Sequence, residues 1–199
     1  MKNIERKYQL ASEARYQEAA AAVTSAAGQP SALDQTDVYY ACEPGARLKL
    51  RLERHGGAGP RSAALIPYAR PDATDARASR WALFRLGEQA DVDAATAVLG
   101  TTLREEVRVT KHRQLWMWRG VRVHLDAVER LGWFLEFEDV LTADADEAAA
   151  QSRLAELAQE LQLERGAVPQ SLGYREMALA AFPTGGLHPP EPPAAKTTQ

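Results

Sequence analysis

Residues 47–53 alternate without a break, with Leu48, Leu50 and Leu52 interleaved between Arg47, Lys49, Arg51 and Glu53. Side chains at i and i+2 leave a strand on the same face, so this run has one apolar and one strongly basic side. The period-two pattern recurs. Residues 2–10 set Ile4, Tyr8 and Leu10 against Asn3, Glu5, Lys7 and Gln9, residues 103–118 place Lys111 and Arg113 on one face, and residues 133–140 do the same with Glu136 and Glu138. Further strands are predicted over 35–41, 63–70, 79–86 and 121–126.

Between these strands, Ser12 is a predicted N-cap for an Ala-rich helix reaching Gly28, with Glu13 in its first turn. A short helix is predicted over 91–99, and a longer one over 144–164 with Leu154, Leu157, Ala158 and Leu161 on one stripe. About eight strands joined mostly by short turns, with three inserted helices and no βαβ alternation, read as α+β, mostly antiparallel β, closed as a barrel or stacked as a sandwich. The proline-rich residues 183–199 are predicted to be disordered, which leaves 1–182 as one domain.

A net charge of −3 argues against a sequence-blind nucleic-acid binder, which needs a basic surface. Cys42 is the single cysteine and excludes an internal disulfide. The charged start MKNIERKYQL has no apolar signal core, and no apolar run approaches the ~20 residues of a spanning helix, so a cytoplasmic protein is expected.

The charged faces admit two readings. In one they are the solvated side of an open sheet. In the other they converge inside a barrel. Glu136 and Glu138 favour the second, because Trp133, Phe134, Leu135 and Phe137 surround them with residues suited to burial. Segregation by strand favours it too, since ordinary surfaces intersperse their signs. Converged, the carboxylates of Glu5, Asp126, Glu136 and Glu138 would face the cations of Lys7, Arg47, Lys49, Arg51, Lys111 and Arg113, a local excess of two positive charges in an acidic chain. Hard carboxylate oxygens suit Mg²⁺ or Mn²⁺, and the basic groups suit phosphate oxygens.

In order along the chain, Asn3-Ile4-Glu5-Arg6-Lys7, Gln35-x-Asp37, Arg47-x-Lys49-x-Arg51, Tyr68-x-Arg70, Lys111-x-Arg113, His124-Leu125-Asp126 and Glu136-x-Glu138 resemble the motifs of the CYTH superfamily, the triphosphate tunnel enzymes. Ser171 and Tyr174 loosely match a closing Ser-Tyr. The chain most resembles the bacterial class IV adenylyl cyclase-like group. The resemblance implies an eight-stranded triphosphate-tunnel barrel with peripheral helices. It implies metal, Mg²⁺ or Mn²⁺, on Glu5, Asp126, Glu136 and Glu138, with Asn3 as a further donor. It implies phosphate on Lys7, Arg47, Lys49, Arg51, Arg70, Lys111 and Arg113, and catalysis through Lys7, Glu5, Asp126 and Glu136.

The first Glu of the family's opening ExExK motif is Asn3 here, a neutral oxygen donor in place of a carboxylate. Cyclisation of ATP to cyclic AMP is the first expected reaction and triphosphate hydrolysis the second; a non-catalytic polyphosphate-binding module is the alternative of another class. The expected partner is a small-molecule triphosphate, without nucleic acid or membrane, and a homodimer is the expected assembly. Arg80 and Arg122 would extend the basic lining if they face inward. His55, His112, His124 and His188 lack metal-ligand spacing and are expected to be structural or on the surface; Trp116 and Trp118 are expected to pack.

Overall fold

The alternation translates into a closed ring of strands. The computed structural model describes residues 2–57, 59, 61–69, 77–86, 89–142, 146–163 and 165–182. In chain order the elements are β1 (Lys2–Leu10), α1 (Glu13–Ala27), β2 (Ser31–Tyr40), β3 (Ala46–His55), β4 (Arg61–Ala69), β5 (Arg77–Trp81), β6 (Phe84–Leu86), α2 (Gln89–Thr102), β7 (Glu105–Trp118), β8 (Val121–Val128), β9 (Gly132–Leu141), α3 (Glu147–Glu160), β10 (Ala167–Pro169) and α4 (Tyr174–Ala181). Eight strands run antiparallel around the ring as β1-β5-β4-β3-β2-β7-β8-β9, and β9 returns to β1 from Lys2↔Leu141 to Leu10↔Trp133. Closure removes the sheet's free edges. The short β10 and β6 pair with β1 and β4 outside the ring.

Burial assigns the faces. Ile4, Tyr8 and Leu10 point outward into a core shared with Tyr16, Ala19 and Val23 of α1 and Leu154 and Leu157 of α3. On the opposite side, Val38, Tyr40, Leu50 and Leu52 pack with Val92 of α2. Fully buried side chains such as Ile4, Leu50 and Leu125 each contribute roughly 1.5–3 kcal/mol. The alternate residues point inward and include Asn3, Glu5, Lys7, Gln35, Asp37, Lys111, Arg113, Asp126 and Glu136, all buried. The open-sheet reading therefore fails, because the charged faces line the barrel and the apolar faces meet helices.

The Ser12 cap holds as expected, and other local signals mark the element ends. The Arg15 amide donates to the Ser12 side chain at 3.3 Å, and the Ala148 amide to Asp146 at 2.9 Å. Arg119 and Gly120 both have positive φ, at 51° and 80°, as a two-residue hairpin between β7 and β8 requires.

The elements differ from expectation in several places: α3 spans Glu147–Glu160 where 144–164 was expected, and β10 was not foreseen. β2 begins at Ser31 because β7 pairs with it as far as Leu115. The single strand expected over 79–86 is divided at Ala82, whose amide donates to the Pro67 carbonyl at 3.1 Å. Helix α2 runs on to Thr102. Helix α4 was not foreseen: it sets Tyr174 and Ala178 against inward Tyr39, Val107, Val109, Val128 and Phe134, an apolar cluster capping one end of the barrel. Arg70 and the tail from Pro183 lie outside the described residues.

Candidate functional site

One wall of the interior is organised around Asp37. It lies opposite Arg51 across β2 and β3 and is fully buried. Its two oxygens accept Arg51 Nε at 2.7 Å and Nη2 at 2.8 Å, and Oδ2 also accepts Lys49 Nζ and Lys111 Nζ, each at 3.0 Å. Burial opposes ionisation, yet Arg51, Lys111 and Lys49 together hold the carboxyl well below the usual range. Burial, with Arg51 alongside, pulls Lys49 down to about 7. Burial also pulls Lys111 down to about 8, even with Asp37 beside it.

Next to this hub, Arg113 grips Asp126 through two bonds of 2.6 Å. Burial works against the charge, but Arg113 keeps the Asp126 carboxyl at about 2. Asp126 Oδ2 also accepts the Tyr174 hydroxyl at 2.8 Å. Burial and the neighbouring Asp126 push that hydroxyl well above the ordinary tyrosine value, so it stays a donor. The Tyr174 ring lies 3.9 Å from Lys7 Nζ and 5.3 Å from Lys111 Nζ.

The other wall comes from β1, β8 and β9. Register sets Lys7 opposite Glu136 and Glu5 opposite Glu138. Lys7 Nζ is 2.9 Å from Glu136 Oε2, and although burial opposes it, this cation holds the Glu136 carboxyl well below its ordinary value. The Asn3 amide donates to Glu138 Oε1, and Arg122 approaches Glu138 Oε2 at 3.3 Å. His124 sits between the two carboxylates, 3.8 Å from each.

Both walls face one cavity of about 640 Å³, within the range of small-molecule sites. Nine of the residues expected from sequence line it: Asn3, Glu5, Lys7, Lys49, Arg51, Lys111, Arg113, Glu136 and Glu138. Asp126 stands behind the lining with both oxygens engaged, so its contact with the cavity runs through Arg113. Arg47 departs from the expected set: it pairs with Glu176 of α4 at 2.8 Å and is not among the lining residues. Arg122 lines the cavity, and Arg80 is exposed. Among the histidines, His112 faces outward to Asp34 at 2.8 Å, whereas His124 lies buried in the cavity wall. Sequence reasoning placed Asp37 in a family motif without giving it a role, and missed the cavity positions of Trp81 and Arg85.

A family model described as the CYTH domain matches residues 1–171. The chain belongs to the CYTH family. No curated protein matches it. A Pyrococcus horikoshii protein superposes with a TM-score of 0.69 at 20% identity, covering 90% of this chain and 99% of its own. An adenylate cyclase candidate from Vibrio parahaemolyticus gives 0.61 at 17%, over 88% of this chain and 96% of its own. A Hippeastrum adenylyl cyclase candidate, described as revealing a dominant triphosphatase activity, gives 0.61 at 16%, over 94% and 98%. At these identities the likeness is one of fold.

CYTH membership raises the question of a divalent ion. Among the described residues, no three His, Cys, Asp or Glu side chains stand together closely enough to grip one. The donor chemistry nevertheless fits: Glu5, Glu136 and Glu138 supply hard oxygens on one wall, and Asn3 Oδ1 is buried beside them without a hydrogen-bond partner. No helix among the described residues is long and apolar enough to cross a membrane.

Proposed function

We propose that the chain is a metal-dependent enzyme acting on a nucleoside or organic triphosphate inside the barrel. The observation that carries this reading is the hub at Asp37, where Lys49, Arg51 and Lys111 share one carboxylate and leave a buried positive excess. Such an excess is unfavourable unless a multivalent anion lies against it. Lys49 and Lys111, held to about 7 and about 8, take up protons as phosphate oxygens approach. Arg51 and Arg113 are fixed by two-bond pairs, so their remaining N–H groups are oriented in advance.

Glu5, Glu136, Glu138 and Asn3 would hold Mg²⁺ or Mn²⁺. Bound there, the ion supplies charge neutralisation on the phosphates and polarises a phosphoryl oxygen. In cyclisation the ribose 3′-oxygen attacks the α-phosphorus and the α–β bridging bond breaks, releasing pyrophosphate. The Glu136 carboxylate, 2.9 Å from Lys7 Nζ, would receive the hydroxyl proton. Hydrolysis is the second reading: water attacks the terminal phosphorus, the β–γ bridging bond breaks to release the diphosphate, and the Glu136 carboxylate beside Lys7 would take the water's proton. The apolar cluster around Tyr174 favours hydrolysis, because it sets the Tyr174 ring 3.9 Å from Lys7 Nζ, where a terminal phosphate would meet that lysine.

Incubating purified protein with ATP and Mn²⁺, and resolving cyclic AMP and pyrophosphate from ADP and phosphate, separates the two. Cyclic AMP supports cyclisation. ADP, or turnover of thiamine triphosphate or tripolyphosphate, supports hydrolysis. Tight binding without product under either metal overturns both and leaves a non-catalytic binding module.

A further inference from the structure

Along β2 one parity holds Leu33, Gln35, Asp37 and Tyr39, and Tyr39 belongs to the apolar cluster around Tyr174. Their partners on β3 are His55, Glu53, Arg51 and Lys49 in that order. The basic stretch around Asp37 therefore ends one step farther from Tyr174, where Gln35 faces Glu53. Both residues line the cavity, and Gln35 is 3% exposed. The Gln35 amide nitrogen donates to Glu53 Oε2 at 2.5 Å, while Gln35 Oε1 is buried without a hydrogen-bond partner. Glu53 Oε1 lies 3.2 Å from the ring of exposed His55. Lys111, opposite Gln35 on β7, has its ammonium on Asp37 at 3.0 Å. Beyond Gln35, Leu33 and Leu115 add apolar surface to the same cavity.

We propose that Gln35 and Glu53 recognise the organic group of the triphosphate and select one that carries N–H or O–H donors on an apolar ring, as a nucleoside or another aminated heterocycle does. The inference rests on the reading that the phosphates lie against the Asp37 hub, and it names what is attached to them. Ionised phosphate oxygens only accept hydrogen bonds, so they leave Gln35 Oε1 unsatisfied, and the Glu53 carboxylate repels them. A buried carbonyl without a donor is unfavourable. A ligand that brings an N–H or O–H removes that cost, and one that lacks it leaves the cost in place, which is how a polar pocket discriminates. Leu33 and Leu115 supply a surface on which the face of a ring loses water. Inorganic tripolyphosphate offers neither a donor nor an apolar face. Bound at the hub, it would meet Glu53 with a further negative charge.

The test compares affinities by calorimetry on the purified protein in metal-free buffer, so that binding is read without turnover. The ligands are ATP, CTP, thiamine triphosphate, tripolyphosphate and the triphosphate of purine 2′,3′-dideoxyriboside, which keeps a purine ring and has no N–H or O–H on its organic group. The tightest of the first three should bind on the order of tenfold or more better than tripolyphosphate and than the donor-free analogue. Gln35→Leu and Glu53→Gln should each narrow both gaps by about threefold or more. Equal affinity for the donor-free analogue or for tripolyphosphate in the wild-type protein overturns the proposal and leaves the triphosphate reading standing. Gaps that survive both substitutions overturn it too, because a merely structural role weakens all five ligands alike. Binding by none of the five overturns the reading at the hub as well. Should a variant fail to fold, the other variant and the wild-type gap to the donor-free analogue decide.

Discussion

The two walls of the barrel solve the same electrostatic problem in opposite ways. Around Asp37, three cations converge on one carboxylate whose oxygens are all used. On the β1/β9 wall, carboxylates predominate, Lys7 and Arg122 answer two of them, and Asn3 Oδ1 and His124 Nδ1 remain over. The first wall is a finished network with surplus positive charge. The second is an unfinished one with surplus electron pairs. A rigid cation cluster can receive a polyanion without rearranging, whereas a wall of carboxylates can receive a cation. The metal–triphosphate complex of the proposed function would meet both requirements together.

The largest effect should come from removing the organiser of the first wall. Asp37→Ala leaves three buried cations facing one another, and breaking a buried ion cluster destabilises by about 3–5 kcal/mol. Because Lys49 and Lys111 can shed protons near pH 7 and 8, the loss should be greater at pH 6 than at pH 9. Urea unfolding at the two pH values measures this; a loss below about 1 kcal/mol at pH 6 would sink the hub as an organising element. On the second wall, Glu136→Gln keeps the shape and removes charge. It should lower kcat on the order of 10²–10³-fold with the fold retained by circular dichroism, and full activity would remove Glu136 from the mechanism. Glu136→Ala is the harsher probe, since it also strands Lys7, which is 4% exposed.

Protonation separates the walls further. Both lysines sit below their ordinary 10.5 in the folded protein, so between about pH 7 and 10.5 the unfolded chain binds more protons than the folded one. Stability contributed by these groups therefore rises with pH across that window. Phosphate binding moves the other way, because a bound polyanion favours the charged lysines. Calorimetry with tripolyphosphate in metal-free buffer should show affinity falling on the order of a hundredfold from pH 7 to 9, with proton uptake on binding. A flat profile would mean that the hub does not touch the phosphates.

Parity carried most of this architecture into the sequence. Once Leu48, Leu50 and Leu52 alternate with cations, burying the leucines turns Lys49 and Arg51 inward, and the same logic placed Lys7, Lys111, Arg113, Glu136 and Glu138. Pairing was less legible. Nothing in the local pattern says that Asp37 would face Arg51 or that Asp126 would be taken by Arg113, because those contacts depend on ring order and register. His124 shared parity with Asp126, but its place between Glu136 and Glu138 depends on the pairing of β8 with β9. The α4 cap was missed because eight residues following a short three-residue strand give too weak a periodic signal.

Arg47 offers the smallest and most discriminating effect. By parity with Lys49 and Arg51 it belongs to the phosphate set, and geometry instead gives it to Glu176, beside the pair that Arg175 makes with Glu106. If geometry governs, Arg47→Ala loosens the seating of α4 and leaves the anion site intact. The expected result is a stability loss of about 1–2 kcal/mol, since the pair is largely buried, with KM for the triphosphate changed less than about threefold. Arg113→Ala, by contrast, should raise KM at least tenfold, because it takes a pre-oriented guanidinium from the cavity wall. Equal KM effects in the two variants would put Arg47 back among the phosphate ligands. They would also imply that α4 releases Glu176 when substrate enters, which would make the capped end of the barrel a moving part of the binding site.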